Sequence, residues 1–453
     1  MKKKNSLIGN RLTDLFGRPQ SEWKNVDQMI FGVDDYFNTP KNGNKLREKA
    51  IIEVFNYHYN NNLFYNQFCK HRKISPSDIK SEKDFTKIPM VPDAFFKDYP
   101  SEKPKDVYNW LYQVSSVDIG EYNFIGKNLT QFLDWAENRL KGLILHSSGT
   151  SGKFSIIFRD EETMKRIIYT LLRLILFHVT DLDDNAHFVY PGSTKTFLAG
   201  GHAVGKASEL FDDEHKHFST DRALSMEIIK LMSTGQAVGL KQKLELKMIQ
   251  KALVKGQYKI INLLQELEKK NEQVALVTFP ILIWEIMNVM EKQGFTMDLG
   301  KSNSFVVSAG GWKIHAHKKV SEDEFAKRIE KCFGIPKENY RDLYGMSEMN
   351  GAALSCEERY KHLTEWIYPM VLDDDMEPVG FGESGRFAFL DPAGYGYPGF
   401  IMTGDRVTLL EKCPKCGKSG IVIKSEVTRM KGAEGRGCGN LMRGLIAKEF
   451  SKD

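Results

Sequence analysis

Four short segments concentrate the residue types that bind nucleotides and metals. The first is His146-Ser147-Ser148-Gly149-Thr150-Ser151-Gly152-Lys153, which follows the apolar run Leu143-Ile144-Leu145. A loop of small hydroxyl residues and glycines brings backbone N–H groups and hydroxyls close to phosphate oxygens. The same composition also suits a plain surface loop. It is not a Walker A loop, because only Thr150 and Ser151 separate Gly149 from Gly152 and Phe154 follows the lysine. The second segment is Tyr340-Arg-Asp-Leu-Tyr344-Gly345-Met-Ser347-Glu348. A carboxylate on a turn beside a phosphate loop could hold Mg²⁺, which would neutralise charge during attack on phosphorus. Read alone, the segment is a strand and turn with a stray acid. The third is Tyr397-Pro-Gly-Phe-Ile-Met-Thr403-Gly404-Asp405-Arg406, where an acid after Thr-Gly could accept hydrogen bonds from a ribose diol. The fourth, Cys413-Pro-Lys-Cys416-Gly417, is half of a zinc knuckle, and a structural zinc needs four ligands. Cys438, Cys356 or a histidine are candidates to complete it. A metal-free tight turn and a redox pair are the alternatives.

Taken in order, with Gly310-Gly311-Trp312 ahead of the second, the first three segments resemble the adenylate-forming superfamily, which includes the acyl-CoA synthetases. The resemblance covers roughly residues 86–440. It implies that a carboxylate attacks the α-phosphate of ATP to give acyl-AMP and pyrophosphate. It also implies roles for individual residues. Ser147, Ser148, Gly149, Thr150, Ser151 and Gly152 would hold the phosphates, with Thr150 also toward Mg²⁺. Gly310, Gly311 and Trp312 would lie near the adenine and acyl sites. Tyr344, beside Gly345, would stack on adenine, Ser347 would touch the α-phosphate, and Glu348 would bind Mg²⁺. Asp405 would bind the ribose, and Arg429 would stand at the family's hinge arginine.

The end of the chain narrows the resemblance. Ordinary members continue past the hinge arginine into a small domain that supplies a lysine for adenylation, whereas 24 residues follow Arg429 here. Lys153, Lys97 and Arg429 are the candidate cations in its place. The ending Arg436-Gly437-Cys438 resembles the acyl-protein synthetase family of bacterial bioluminescence operons, in which a cysteine near the C-terminus accepts the acyl group from acyl-AMP. The Ile88–Lys97 segment also looks like that family. By this resemblance Cys438 is the acyl acceptor, and zinc ligation at the same sulfur would compete with that role. A thiolate is a good nucleophile toward a mixed anhydride, and nearby cations lower a thiol's pKa. Arg429, Lys431 and Arg436 are close in sequence, and Gly435, Gly437 and Gly439 leave the sulfur uncrowded. The acyl group would pass on to a partner such as an acyl-CoA reductase-like or acyltransferase protein. An AMP-forming acid–CoA ligase with a truncated C-terminus and a non-catalytic nucleotide-binding scaffold are the competing readings.

The elements that must position these residues read as α/β. Short apolar strands at Leu143–Leu145, Ile156–Phe158, Ala186–Tyr190, Val274–Val277 and Phe305–Ser308 alternate with helical stretches at Glu161–Val179, Lys241–Lys269, Ile281–Met290 and Glu322–Phe333. That alternation predicts a mostly parallel sheet, and the superfamily resemblance implies a large domain with mixed and parallel sheets, in an adenylating core over residues 131–380. Residues 1–130 read as a helical region packed on that core, with helical spacing over Leu46–Phe68 broken later by Pro89 and Pro92. Residues 381–453 read as a β-rich subdomain and a short tail carrying Cys438. The Phe279–Trp284 stretch suits core packing, or by the resemblance the wall of an acyl tunnel. A chain of 453 residues buries a large core without disulfides. Its net charge of +5 is too dilute to imply nucleic-acid binding, and its six cysteines suit a reducing, cytoplasmic compartment. The most apolar run, Ile167–Val179, is interrupted by Arg173 and is too short to span a bilayer.

Overall fold

The computed structural model describes residues 6–147, 153–196, 198–234, 239–312, 318–424 and 426–430. Among them lie strands β1 (Val91–Pro92), β2 (Gly142–His146), β3 (Ile156–Asp160), β4 (His187–Tyr190), β5 (Lys216–Phe218), β6 (Val274–Thr278), β7 (Phe305–Ala309) and β8 (Tyr340–Tyr344). They continue with β9 (Ala353–Ser355), β10 (Lys361–Leu363), β11 (Tyr368–Leu372), β12 (Ser384–Leu390), β13 (Phe400–Leu410), β14 (Val422–Ile423) and β15 (Thr428–Arg429). Eleven strands follow one hydrogen-bonded path, β11-β12-β13-β14-β10-β9-β8-β7-β6-β4-β5, and β1 and β15, both attached to β13, complete a sheet of thirteen. β2 and β3 form a separate antiparallel hairpin.

The parallel half, β5-β4-β6-β7-β8, matches the alternation of apolar runs and helices. Its strands are covered on both faces, so they are apolar at consecutive positions, as in Val274-Ala-Leu-Val-Thr278, where every residue is buried. The helices between them have strong local signals. Pro280 opens Pro280–Gln293, and Gly294 ends it in the left-handed region at φ 72°. Ser321 and Glu324 form a capping box on Glu322–Phe333, and Gly334 closes it. The remainder of the path is antiparallel apart from β1 on β13, so the sheet is mixed rather than mostly parallel. The antiparallel strands begin at Ala353, upstream of the turn-rich sequence near residue 380.

The N-terminal helices pack on this sheet. The helical spacing over Leu46–Phe68 is realised as two helices, Gly43–Asn61 and Leu63–His71, because the Asn62 side chain accepts a hydrogen bond from the Tyr65 backbone N–H and restarts the helix. Phe55 and Tyr65 lie 6.1 and 5.8 Å from the Phe400 ring of β13, and Tyr57 lies 4.9 Å from Tyr395. A fully buried ion pair adds a polar lock. Arg166, on helix Glu161–Phe177, donates from Nε and Nη2 to the two Asp27 oxygens at 2.7 and 2.9 Å. Removing one partner of such a pair leaves an uncompensated buried charge. Asp27→Ala should therefore cost roughly 3–5 kcal/mol in urea unfolding. A loss under about 1 kcal/mol would show that the pair holds nothing together. Among the described residues no helix is long and apolar enough to cross a membrane.

Candidate active site

A cavity of about 1070 Å³ opens where the carboxyl ends of β6, β7 and β8 meet β13 and β15. In the parallel half of such a sheet this edge is where ligands bind, because the strand-to-helix turns leave a crevice there. One part of the wall is polar, with Asp93, Ser147, Ser347, Glu348, Asp405 and Arg429. Another is apolar and lies between helices, with Ile168, Leu171, Ile175, Ala203, Ile228 and Ile249.

The polar wall is built from the three chemistry-bearing segments. After β8 the chain turns through Gly345 to Glu348, and Gly345, Ser347 and Glu348 all face the cavity. Buried Arg159 from β3 holds this turn. Its Nε donates to Asn350 Oδ1 at 2.9 Å, and its Nη2 donates to the Ser347 and Met349 carbonyls. Glu348 is 5% exposed and accepts from the Ser347 hydroxyl at 3.0 Å. Burial pushes its carboxyl above the usual range, and the neighbouring Asp93 carboxylate adds to that push.

Asp405 and Arg429 meet because β15 pairs with β13 in the register Asp405↔Arg429. The Arg429 guanidinium donates from Nη1 to Asp405 Oδ1 at 2.9 Å and from Nη2 to Asp93 Oδ2 at 2.7 Å. Burial opposes its charge, but the two carboxylates outweigh that and hold it protonated beyond its ordinary range. The Tyr344 hydroxyl donates to the other Asp405 oxygen at 2.8 Å. Gly404 leaves the space for this arrangement, since a Cβ there would stand 2.9 Å from Arg429 Cζ. Gly310, Gly311 and Trp312 also line the cavity, and Gly310 takes the left-handed φ of 82°.

The hydroxyl-rich loop is the connection of the β2–β3 hairpin. Ser147 at its start lines the cavity, and its Oγ accepts from the Ser155 N–H at 3.0 Å. Ser148, Gly149, Thr150, Ser151 and Gly152 lie outside the described residues, as does Cys438. Lys153 points elsewhere. Its Nζ donates to the Tyr99 carbonyl at 3.3 Å and lies over the Tyr99 ring. Lys97 does face the cavity. His146 is buried, its Nδ1 donates to the Ser147 carbonyl at 2.8 Å, and burial lowers its pKa to about 4. Its neutral ring therefore forms cavity wall at the loop's base.

Two residues of the cavity wall were invisible as such in the sequence. Asp93 lies in the Ile88–Lys97 segment, whose prolines mark only an irregular stretch. The structure pairs β1 in parallel with β13, which brings Asp93 to Gly404 and Arg429. Arg159 sits in an apolar strand, and only the fold aims it at the Ser347–Asn350 turn. The Phe279–Trp284 stretch divides: Phe279, Ile281 and Leu282 line the cavity, while Trp284 stacks on Phe325 in the core.

Known proteins resemble this chain at three levels. Residues 250–446 match the family described as acyl-protein synthetase, LuxE. The long-chain-fatty-acid–luciferin-component ligase of Aliivibrio fischeri is 21% identical over 427 residues, covering 94% of this chain and 95% of that protein. The protein of the same name from Vibrio harveyi is 22% identical over 412 residues, covering 90% of this chain and 91% of its own. In fold, the chain resembles 2-hydroxyisobutyryl-CoA ligase in an open conformation with 2-HIB-AMP and CoA, at a TM-score of 0.55 and 14% identity over 88% of this chain and 79% of that one. The post-adenylation state of that ligase gives a TM-score of 0.54, with 14% identity over 87% of this chain and 69% of that one. Sequence and fold comparisons point the same way: over residues 250–446 the chain is similar to the family described as acyl-protein synthetase, LuxE, and its fold resembles that of 2-hydroxyisobutyryl-CoA ligase.

Proposed function

We propose that this chain is an AMP-forming ligase that activates a fatty acid with ATP and takes the acyl group onto its own Cys438. The observation that carries the reading is one cavity whose polar wall of Glu348, Asp93, Asp405 and Arg429 is continuous with an apolar arm. An acyl chain needs an apolar groove, and its carboxylate must meet the nucleotide at the polar end.

In the first step a carboxylate oxygen of the acid attacks the α-phosphorus of ATP. The bond to the leaving pyrophosphate breaks, and acyl-AMP remains. Asp405, held by Tyr344 and Arg429, offers acceptor oxygens suited to the ribose diol. Ser147 and the hydroxyl-rich loop that follows it offer donors for the phosphates. Glu348 and Asp93, two neighbouring carboxylates on one wall, fit the hard-oxygen ligation of Mg²⁺, which when bound would neutralise developing phosphate charge. Lys97 faces the same cavity and supports a cation role there. In the second step the Cys438 thiolate attacks the acyl carbonyl carbon. The C–O bond to AMP breaks, AMP leaves with the electron pair, and a thioester stays on the chain. Met430 lines the cavity, and Cys438 is eight residues farther along. The proposed transfer requires that these residues bridge no more than about 27 Å, their fully extended length. The thioester is then the donor to an acyl reductase-like or acyltransferase partner.

The test is incubation with ATP, Mg²⁺ and a labelled long-chain acid. Acid-dependent exchange of pyrophosphate into ATP, with hydroxylamine-labile label on the denatured protein, is expected. Acyl-CoA formation without protein label would instead identify an acid–CoA ligase. Absence of both exchange and label across acids would leave a nucleotide-binding scaffold. The apolar arm makes its own prediction. Ala203→Phe fills the arm, so the preferred acid should shorten by several carbons. Each excluded methylene costs about 0.8 kcal/mol, near fourfold in relative exchange rate. An unchanged chain-length profile would place the acyl chain elsewhere.

A further inference from the structure

We propose that Cys356, His362, Cys413 and Cys416 form a structural zinc site that ties the β9–β10 and β13–β14 hairpins together. Their ligand atoms all lie within 4.8 Å of one another. Cys356 Sγ is 4.0 Å from Cys413 Sγ, and Cys416 Sγ is 3.3 Å from His362 Nε2. Four ligands at zinc bond lengths of about 2.1–2.3 Å in tetrahedral geometry stand roughly 3.5–3.8 Å apart, so these separations need only small shifts to close on the metal. Three sulfurs and one imidazole nitrogen form a set that favours zinc over harder cations. With four protein ligands no coordination position remains for substrate, which makes the site structural.

The local backbone is shaped for this. The Cys416 N–H donates to Cys413 Sγ at 3.3 Å, an interaction that stabilises a thiolate, and Gly417 follows in the left-handed region at φ 74°. Cys356, His362 and Cys413 are buried. The Phe37 ring stacks on His362 with centroids 4.6 Å apart and fixes its plane. A redox pair explains less of this geometry, since it gives no role to the third sulfur or to the imidazole. A disulfide between Cys356 and Cys413 would also need its sulfurs at about 2.0 Å.

The four ligands come from two hairpins. Cys356 and His362 belong to the β9–β10 turn region, and Cys413 and Cys416 to the β13–β14 connection. β13 carries Asp405, and the segment leaving β14 runs to Arg429. The metal therefore holds the strand framework that presents both residues of the ribose end. The ligand set is also complete without Cys438, which removes the competition between zinc ligation and acyl acceptance at that sulfur.

Metal analysis of the full-length protein, expressed with zinc and purified reduced, should find about one zinc per chain. The Cys413→Ser/Cys416→Ser double variant should hold less than about a tenth of that, while Cys438→Ser retains it in full. Zinc kept by the double variant, or lost from Cys438→Ser, would overturn the assignment. If the double variant does not fold, Co²⁺ titration of metal-stripped wild type decides. Thiolate-to-cobalt charge transfer with tetrahedral d–d bands is expected, and their absence overturns the site.

Discussion

Replacing Cys438 with serine should abolish acyl label on the protein while acid-dependent pyrophosphate exchange stays within about twofold of wild type. The split follows from the order of the two steps. Proposed adenylation uses the cavity wall, and every proposed contact precedes residue 430 in the sequence. Proposed transfer uses a cysteine sulfur, and a thiolate is a far better nucleophile toward a mixed anhydride than a serine hydroxyl with no base placed beside it. The variant should also accumulate acyl-AMP that slow hydrolysis releases, visible as AMP formation without protein thioester. Label that persists in the variant would assign transfer to another residue. Exchange that collapses with it would mean that Cys438 serves the first step as well.

Glu348→Gln should lower acid-dependent pyrophosphate exchange by about 10²–10³-fold, the usual cost of losing one preorganised charge interaction at a reacting phosphate. The amide keeps the size of the side chain and can still accept from the Ser347 hydroxyl, so the Arg159-held turn should survive. What is lost is one negative charge beside Asp93. Rescue by raised Mg²⁺ should be weak, and an effect below about fivefold would remove Glu348 from metal binding.

The same residue predicts a pH dependence. Burial, then Asp93, raises the folded-state pKa of Glu348 above its unfolded value. The native protein therefore holds a proton that the unfolded chain has released. Above the unfolded pKa the group costs stability, increasingly as pH rises through the folded pKa. Glu348→Gln removes that cost, so its thermal midpoint without ligands at neutral pH should exceed that of wild type. For activity the sign is opposite, since only the ionised carboxylate holds a cation. Exchange in wild type should fall as pH drops through the raised pKa, and higher Mg²⁺ should move that limb to lower pH. A limb insensitive to Mg²⁺ would point to another group.

Much of this fold was legible because its strongest signals are local. The helix Glu322–Phe333 has its own capping box and left-handed glycine, and the buried strands of the parallel half are continuous apolar runs. Ser347, Glu348 and Asp405 were legible as candidate cavity residues through type and spacing, and the cavity receives all three. Lys153 was not, because a lysine's position depends on what its long side chain finds. Here it finds the Tyr99 carbonyl rather than the cavity.

Sequence order and composition thus set the element types, the candidate nucleotide residues, the cysteine half-site and the resemblance on which the acyl-transfer reading stands. Pairing between distant segments set the rest. Asp93, Asp405 and Arg429 meet because β1 and β15 both attach to β13, joining residues up to 336 positions apart. Cys356 and His362 reach Cys413 and Cys416 because β10 pairs with β14. Such contacts carry no periodicity for a linear reading to detect. They form where burying sheet faces and satisfying backbone hydrogen bonds select one strand order, and only that order places two more ligands beside the half-site and a second carboxylate beside Glu348.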